Sequence, residues 1–149
     1  MADHAVQCPV SPSAPQDIVQ PAIRLHAAAV EFYIDEGCHI RELSNTADDP
    51  EVSIAEARVE PGGITRWHRL SGVTERYVIL AGAGIVEIGG LAATAVGPGD
   101  VVLIPPGCPQ RIANTGSTDL RFLAICSPRF SPGCYEDIDA EPLPPIQYD

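Results

Sequence analysis

The chain has 149 residues, 45% of them hydrophobic, and a formal net charge of −11, the length of one domain with room for a core. All nine basic residues are arginine. Schiff-base lysine chemistry and a P-loop are therefore excluded, and the acidic balance lacks the basic footprint of a nucleic-acid binder. No apolar run approaches the ~20 residues a membrane span needs, and no basic region leads into an apolar one near the start, so the expectation is a cytoplasmic protein with no membrane partner.

Residues 1–29 read as an N-terminal tail or dimer-exchange segment: "MADHAVQCPVSPSAPQDIVQ" holds three prolines and no amphipathic period, although "PAIRLHAAAVEF" has room for a helical turn. From residue 30 the pattern turns to strands. "EFYIDEG" and "CHIRELSN" alternate around Glu36-Gly37, and "EVSIAEARVEPGG" runs into a Pro-Gly turn. "GITRWHRL", "ERYVILAG", "GIVEIGG", "LAATAVGPGD", "VVLIPPG", "QRIANTG" and "LRFLAICSP" follow. Short strands at a spacing of roughly 8–12 residues, with no long helical period, argue an all-β sandwich or barrel. Residues 131–149, acidic and proline-rich, read as a C-terminal tail with one short helical turn. The five cysteines, Cys8, Cys38, Cys108, Cys126 and Cys134, show no CxxC spacing; a zinc ribbon or redox pair is unsupported, and buried small hydrophobes are expected.

Two stretches carry more than strand patterning. Gly62, His68, Glu75 and Gly82 stand in one register, and Gly99, Pro105, Gly107 and Asn114 in another. Together they resemble the two motifs of the cupin superfamily. The first motif's second histidine is Leu70 here, and the second motif's histidine is Gln110. The resemblance implies a double-stranded β-helix, the jelly-roll barrel of RmlC-like cupins, over residues 30–130, in a small bacterial-type protein that forms a homodimer.

On a strand beginning near Ile64, alternation puts Ile64, Arg66, His68 and Leu70 on one face and Trp67 and Arg69 on the other. By resemblance the His68 face lines the barrel, with Glu75 and Tyr77 pointing inward from the next strand and Gln110 from a later one. His68, Glu75 and Gln110 then form an incomplete metal-ligand set for Fe, Mn, Ni, Zn or Cu, with no organic cofactor. Set against this is a hydrogen-bonded polar cluster in a metal-free barrel, since buried polar groups must pair. His68 and Glu75 are the catalytic candidates, with or without a metal. Arg66, Tyr77 and Gln110 are the substrate-binding candidates, Arg66 offering a fork to an anionic ligand or closing an internal ion pair. The implied function is binding of a small, anionic organic molecule, either by a metal-dependent enzyme of dioxygenase, isomerase, decarboxylase or lyase type, or by a non-catalytic sensing barrel that has lost its metal. The N-terminal prolines and an outward Trp67 agree with a homodimer, and His39 is expected in a surface or packing role, with a substitute ligand to the site as the alternative.

Overall fold

The structure, a computed structural model, describes residues 19–140. Among the described residues the chain forms β1 (Glu31–Ile34), β2 (Cys38–Ser44), β3 (Ser53–Val59), β4 (His68–Leu70), β5 (Thr74–Ala81) and β6 (Gly84–Ile88). Then come β7 (Thr94–Val96), β8 (Val101–Ile104), β9 (Gln110–Asn114), β10 (Leu120–Ser127) and β11 (Tyr135–Asp137). Single 3-10 turns cover His26–Ala28 and Pro132–Cys134. The strands make two antiparallel sheets, ordered β1-β2-β3-β10-β5-β8 and β11-β4-β9-β6-β7. This is the all-β jelly-roll barrel that the strand spacing and the motifs imply.

Three neighbouring strands explain where the barrel is solid and where it is hollow. Because side chains alternate, β3 sends Ser53, Ala55, Ala57 and Val59 inward, β10 sends Leu120, Phe122, Ala124 and Cys126, and β5 sends Glu75, Tyr77 and Ile79. The register pairs Val59 with Leu120, Ala57 with Phe122, Ala55 with Ala124 and Ser53 with Cys126. On the other side of β10, Phe122 pairs with Ile79, Ala124 with Tyr77 and Cys126 with Glu75. One end of these layers is bulky and apolar, and the other is small or polar. At the bulky end Val59, Ile79, Ile112 and Leu120 are at most 1% exposed and share one cluster with Val86. At the other end a smaller cluster of Leu70, Val73, Cys126 and Cys134 packs against Phe130 and Tyr135.

The motif framework does its work at the turns and strand ends. Gly82 adopts φ +87°, and a Cβ there would lie 2.6 Å from the carbonyl oxygen of Asp119, so the turn after β5 admits glycine for both conformation and space. Asn114 donates from Nδ2 to the carbonyls of Val59 and Thr118, each at 2.8 Å, and accepts from the amide of Gly116. It thereby ties the β9–β10 turn to the end of β3.

Two readings of the chain change. The strand expected from Ile64 begins only at His68. Before it, Thr65 takes over the ladder with its side chain: Oγ1 accepts from the Ile112 amide at 3.0 Å, and the Thr65 amide donates to the Ile112 carbonyl. Alternation therefore fails upstream of His68. Ile64 is 55% exposed, Thr65 is buried, and Trp67 is 7% exposed beneath the Arg111 guanidinium, 4.5 Å from the ring centroid. Trp67 is covered by its own chain and offers no free face to a second copy. The barrel also extends past residue 130: the helical turn of the acidic tail is present, but β11 follows it and pairs with β4, Tyr135 opposite Leu70 and Asp137 opposite His68. Of the N-terminal segment, residues 1–18 lie outside the described residues; Arg24 binds Ser44 and Thr46, and Arg41 donates to the Ala29 carbonyl.

Candidate functional site

A cavity of about 590 Å³ opens between the inner faces of β1, β2, β3, β5 and β10 and the ribbon of β4 and β11. The small side chains Ser53, Ala55, Ala57 and Ala124 leave the space, and His68, Glu75, Tyr77 and Glu36 supply the polar groups. Cys38 and Cys126 complete the wall; burial raises both thiols, Cys126 to about 12, so they behave as small apolar groups.

His68 enters from β4 and is 2% exposed. Its Nδ1 lies 2.8 Å from the Arg66 carbonyl oxygen, which can only accept, so Nδ1 carries the proton. Nε2 faces Glu36 Oε1 at 3.4 Å, and the ring stacks on Tyr135 at 5.2 Å between centroids. Burial lowers the His68 pKa and favours neutral imidazole, with Nε2 free to accept.

Glu75 and Tyr77 project from β5, and Gln110 from β9, as the motif implies. Tyr77 donates its hydroxyl to Gln110 Oε1 at 2.6 Å, and Gln110 Nε2 donates to Glu75 Oε2 at 3.2 Å. Burial pushes Glu75 up to about 7, with the Glu36 charge adding to the rise. Glu36 is itself pushed up to about 7, by burial first and then by Asp137. The site therefore holds a neutral imidazole and two carboxyl groups that protonate near neutrality.

These contacts decide whether the donors fit a divalent metal. The Gln110 oxygen takes the Tyr77 proton, and its amide protons point at Glu75, so a metal on that oxygen must break the chain of hydrogen bonds. His68 Nε2 is turned towards Glu36, and Leu70 offers no donor. Among the described residues no three His, Cys, Asp or Glu side chains gather as a metal centre requires. The set His68, Glu75 and Gln110 does not fit the metal: Gln110 is engaged by Tyr77 and Glu75, while His68 bonds the Arg66 carbonyl and faces Glu36. Gln110, 0% exposed, sits behind Tyr77 and Glu75 and does not line the cavity.

Arg66 stands elsewhere than alternation implies. It is an exposed side chain on the outer rim, where Nε donates to Asp137 Oδ2 at 2.6 Å and Nη1 lies 3.9 Å from Asp139. It does not line the cavity, and neither does any other arginine. An anionic ligand thus loses the fork on which that expectation rested. His39 bonds Glu60 at 3.2 Å in an exposed contact and does not line the cavity. Sequence reasoning missed Glu36, Tyr135 and Asp137. Glu36 sits in the β1–β2 turn, before Gly37 at φ +99°, and Tyr135 and Asp137 belong to the strand taken for tail. The signal for Glu36 was there in a carboxylate at a hairpin tip, but its reach to His68 is a tertiary fact.

The fold and site define a small jelly-roll barrel with a polar cluster facing a cavity. The chain belongs to the cupin superfamily: residues 55–126 match the Cupin domain model. An uncharacterized protein of Methanocaldococcus jannaschii is 35% identical over 117 residues, covering 76% of this chain and 93% of its own. The oxalate-binding protein of Thermotoga maritima is 37% identical over 71 residues, 48% of this chain and 58% of its own. Among solved structures a Streptomyces nucleoside dehydratase superposes with a TM-score of 0.67 at 14% identity, covering 82% of this chain and 98% of its own. Such low identity supports the shared fold alone.

Proposed function

We propose that the protein binds a small organic molecule in the barrel and moves a proton on it with His68 and Glu75, without a metal. One observation carries this reading: neutral His68, protonatable Glu75 and Glu36 face one cavity of about 590 Å³, while the Gln110 amide is spent on holding Glu75 and Tyr77. His68 Nε2 accepts a proton from the ligand, and the Glu75 carboxyl, still protonated near neutral pH, returns one. Glu36 lies 3.4 Å from Nε2, and its ionised form, reached near pH 7, pairs with the imidazolium that His68 becomes. Transfers of this kind suit an isomerase or a lyase. The enzymes among structurally similar barrels, a nucleoside dehydratase and a polyketide cyclase, are in keeping with that range.

The test has two arms. Protein purified without chelator or histidine tag is analysed for metal, and its melting temperature is followed with added Fe, Mn, Ni, Zn or Cu. No stoichiometric metal and no gain are expected; near-stoichiometric metal that falls sharply in His68→Ala overturns the metal-free reading. Compounds that stabilise the protein are then followed for proton exchange in deuterated water. Exchange lost in His68→Gln with binding retained supports catalysis. Binding with no exchange in the wild type favours the sensing barrel, for which the Leu70 and Gln110 replacements also speak.

Homodimerisation and a cytoplasmic setting belong to the same reading. Leu80, Val101 and Leu103 are 44%, 64% and 59% exposed on the outer face beside the open edge of β8, which favours pairing. Monomeric light scattering at micromolar concentration sinks the dimer. The four described cysteines are free thiols, in keeping with a reducing compartment, and no helix among the described residues is long and apolar enough to cross a membrane.

A further inference from the structure

The chain's aromatic and charged residues are distributed unevenly between the cavity and the rest of the molecule. All three phenylalanines, Phe32, Phe122 and Phe130, line the cavity, together with Tyr77 and Tyr135. Carboxylates line it as well: Glu36 and Glu75 inside, Asp35 and Glu42 on exposed positions at the mouth. Asp137 also lines it, but is held by Arg66 from outside. None of the nine arginines contributes to the wall. Neither inner carboxyl meets an arginine: Glu36 faces His68, and Glu75 accepts from Gln110.

Such a lining selects by charge. Carboxylates at the mouth of a low-dielectric cavity, on a chain of net charge −11, focus a negative potential on the entrance. An anion meets that field with no donor fork behind it. A cation is drawn in, finds aromatic faces that attract it through their quadrupoles, and supplies the counter-charge that Glu36 and Glu75 lack. From this juxtaposition we propose that the barrel's ligand is an organic cation, an amine or quaternary ammonium compound, seated between the phenylalanine wall and the Glu36–Glu75 pair. The inference rests on the small-molecule reading above and narrows it to one chemical class.

Two sets of nearly isosteric probes test it: choline, 3,3-dimethylbutan-1-ol and 3,3-dimethylbutanoate, and 2-phenylethylamine, 2-phenylethanol and phenylacetate. Affinities are measured by calorimetry or NMR titration at pH 8, alongside a broad thermal-shift screen of metabolites. The cation of each set is expected to bind at least about tenfold more tightly than its alcohol, with no binding of the acid. Glu75→Gln and Glu36→Gln are each expected to lower the ratio of cation to alcohol affinity. An alcohol that matches its cation, or an acid that binds, overturns the cation class but leaves the small-molecule pocket standing. Where the six probes are silent, the charge of the screen's hits decides between the same outcomes. No binding by any compound overturns the pocket reading itself.

Discussion

Two halves of one barrel follow the same strand rules and come out differently. The half closed by β6, β8 and β9 is filled by Val86, Ile88, Val102, Ile104 and Ile112 against Val59, Ile79 and Leu120. The half under β4 and β11 leaves about 590 Å³ empty of protein, and no residue from β6 to β9 lines it. Both halves are spanned by the same β3, β5 and β10. Moving along those strands replaces Val59 by Ala55 and Ser53, Leu120 by Ala124 and Cys126, and Ile79 by Glu75. Stability is concentrated where side chains branch, and the site where they are short or polar.

Substitutions that treat the halves alike should separate them. The largest effect is expected from Leu120→Ala, which opens a cavity at a 0% exposed position and should cost roughly 2–5 kcal/mol in urea denaturation. A loss under about 1 kcal/mol would mean the packed half is looser than described. In the hollow half, Ala55→Leu should change stability by less than about 1.5 kcal/mol, because the new side chain enters open space, yet remove stabilisation by any barrel ligand. Retained ligand stabilisation would move the binding site elsewhere.

Next in size is the response to pH. Glu36 and Glu75 keep their protons up to about 7 in the fold, against an ordinary value of 4.5. Between those values the folded state holds more protons than the unfolded chain, so stability falls as pH rises, by at most roughly 3 kcal/mol per carboxyl. His68, lowered from 6.5, acts with the opposite sign: below 6.5 the unfolded chain takes up the proton first, and stability falls as pH drops. Denaturation of wild type and Glu75→Gln at pH 5 and pH 8 isolates one carboxyl. The variant should lose less stability on going to pH 8, and an unchanged difference would refute the buried-acid description of Glu75.

A further effect is expected from Tyr77→Phe. It removes the hydroxyl that Gln110 Oε1 accepts, at a cost of about 1–3 kcal/mol. If the hydrogen-bond chain also keeps Gln110 from other ligands, the variant should be the one in which added divalent metal gives measurable thermal stabilisation. Metal stabilisation equal in wild type and variant would show that the tyrosine guards nothing.

Much of this was legible beforehand, and the places where it was not share a cause. The hairpin at Glu36-Gly37 and the strands from β5 to β10 follow from alternation and turn residues, which are local properties, whereas the inward set Glu75, Tyr77 and Gln110 follows from the cupin resemblance. Arg66 was assigned inward because alternation was extended through Thr65, whose side chain replaces a backbone ladder contact and breaks the period. The short strand β11 carries no period of its own and exists because β4 offers an edge to pair with.

The sequence by itself determined an all-β chain of short strands and two motifs with Leu70 and Gln110 at histidine positions; the barrel and the inward direction of Glu75 and Tyr77 came with the cupin resemblance those motifs carry. Tertiary structure alone decided that Glu36 meets His68, that Tyr77 claims the Gln110 oxygen, that Arg66 stays outside with Asp137, and that the cavity is lined by aromatic rings and carboxyls with no arginine. The division has a physical reason. Strand direction and turn type are set by neighbouring residues, whereas burial, charge partners and the protonation of a carboxyl depend on groups that only folding brings together.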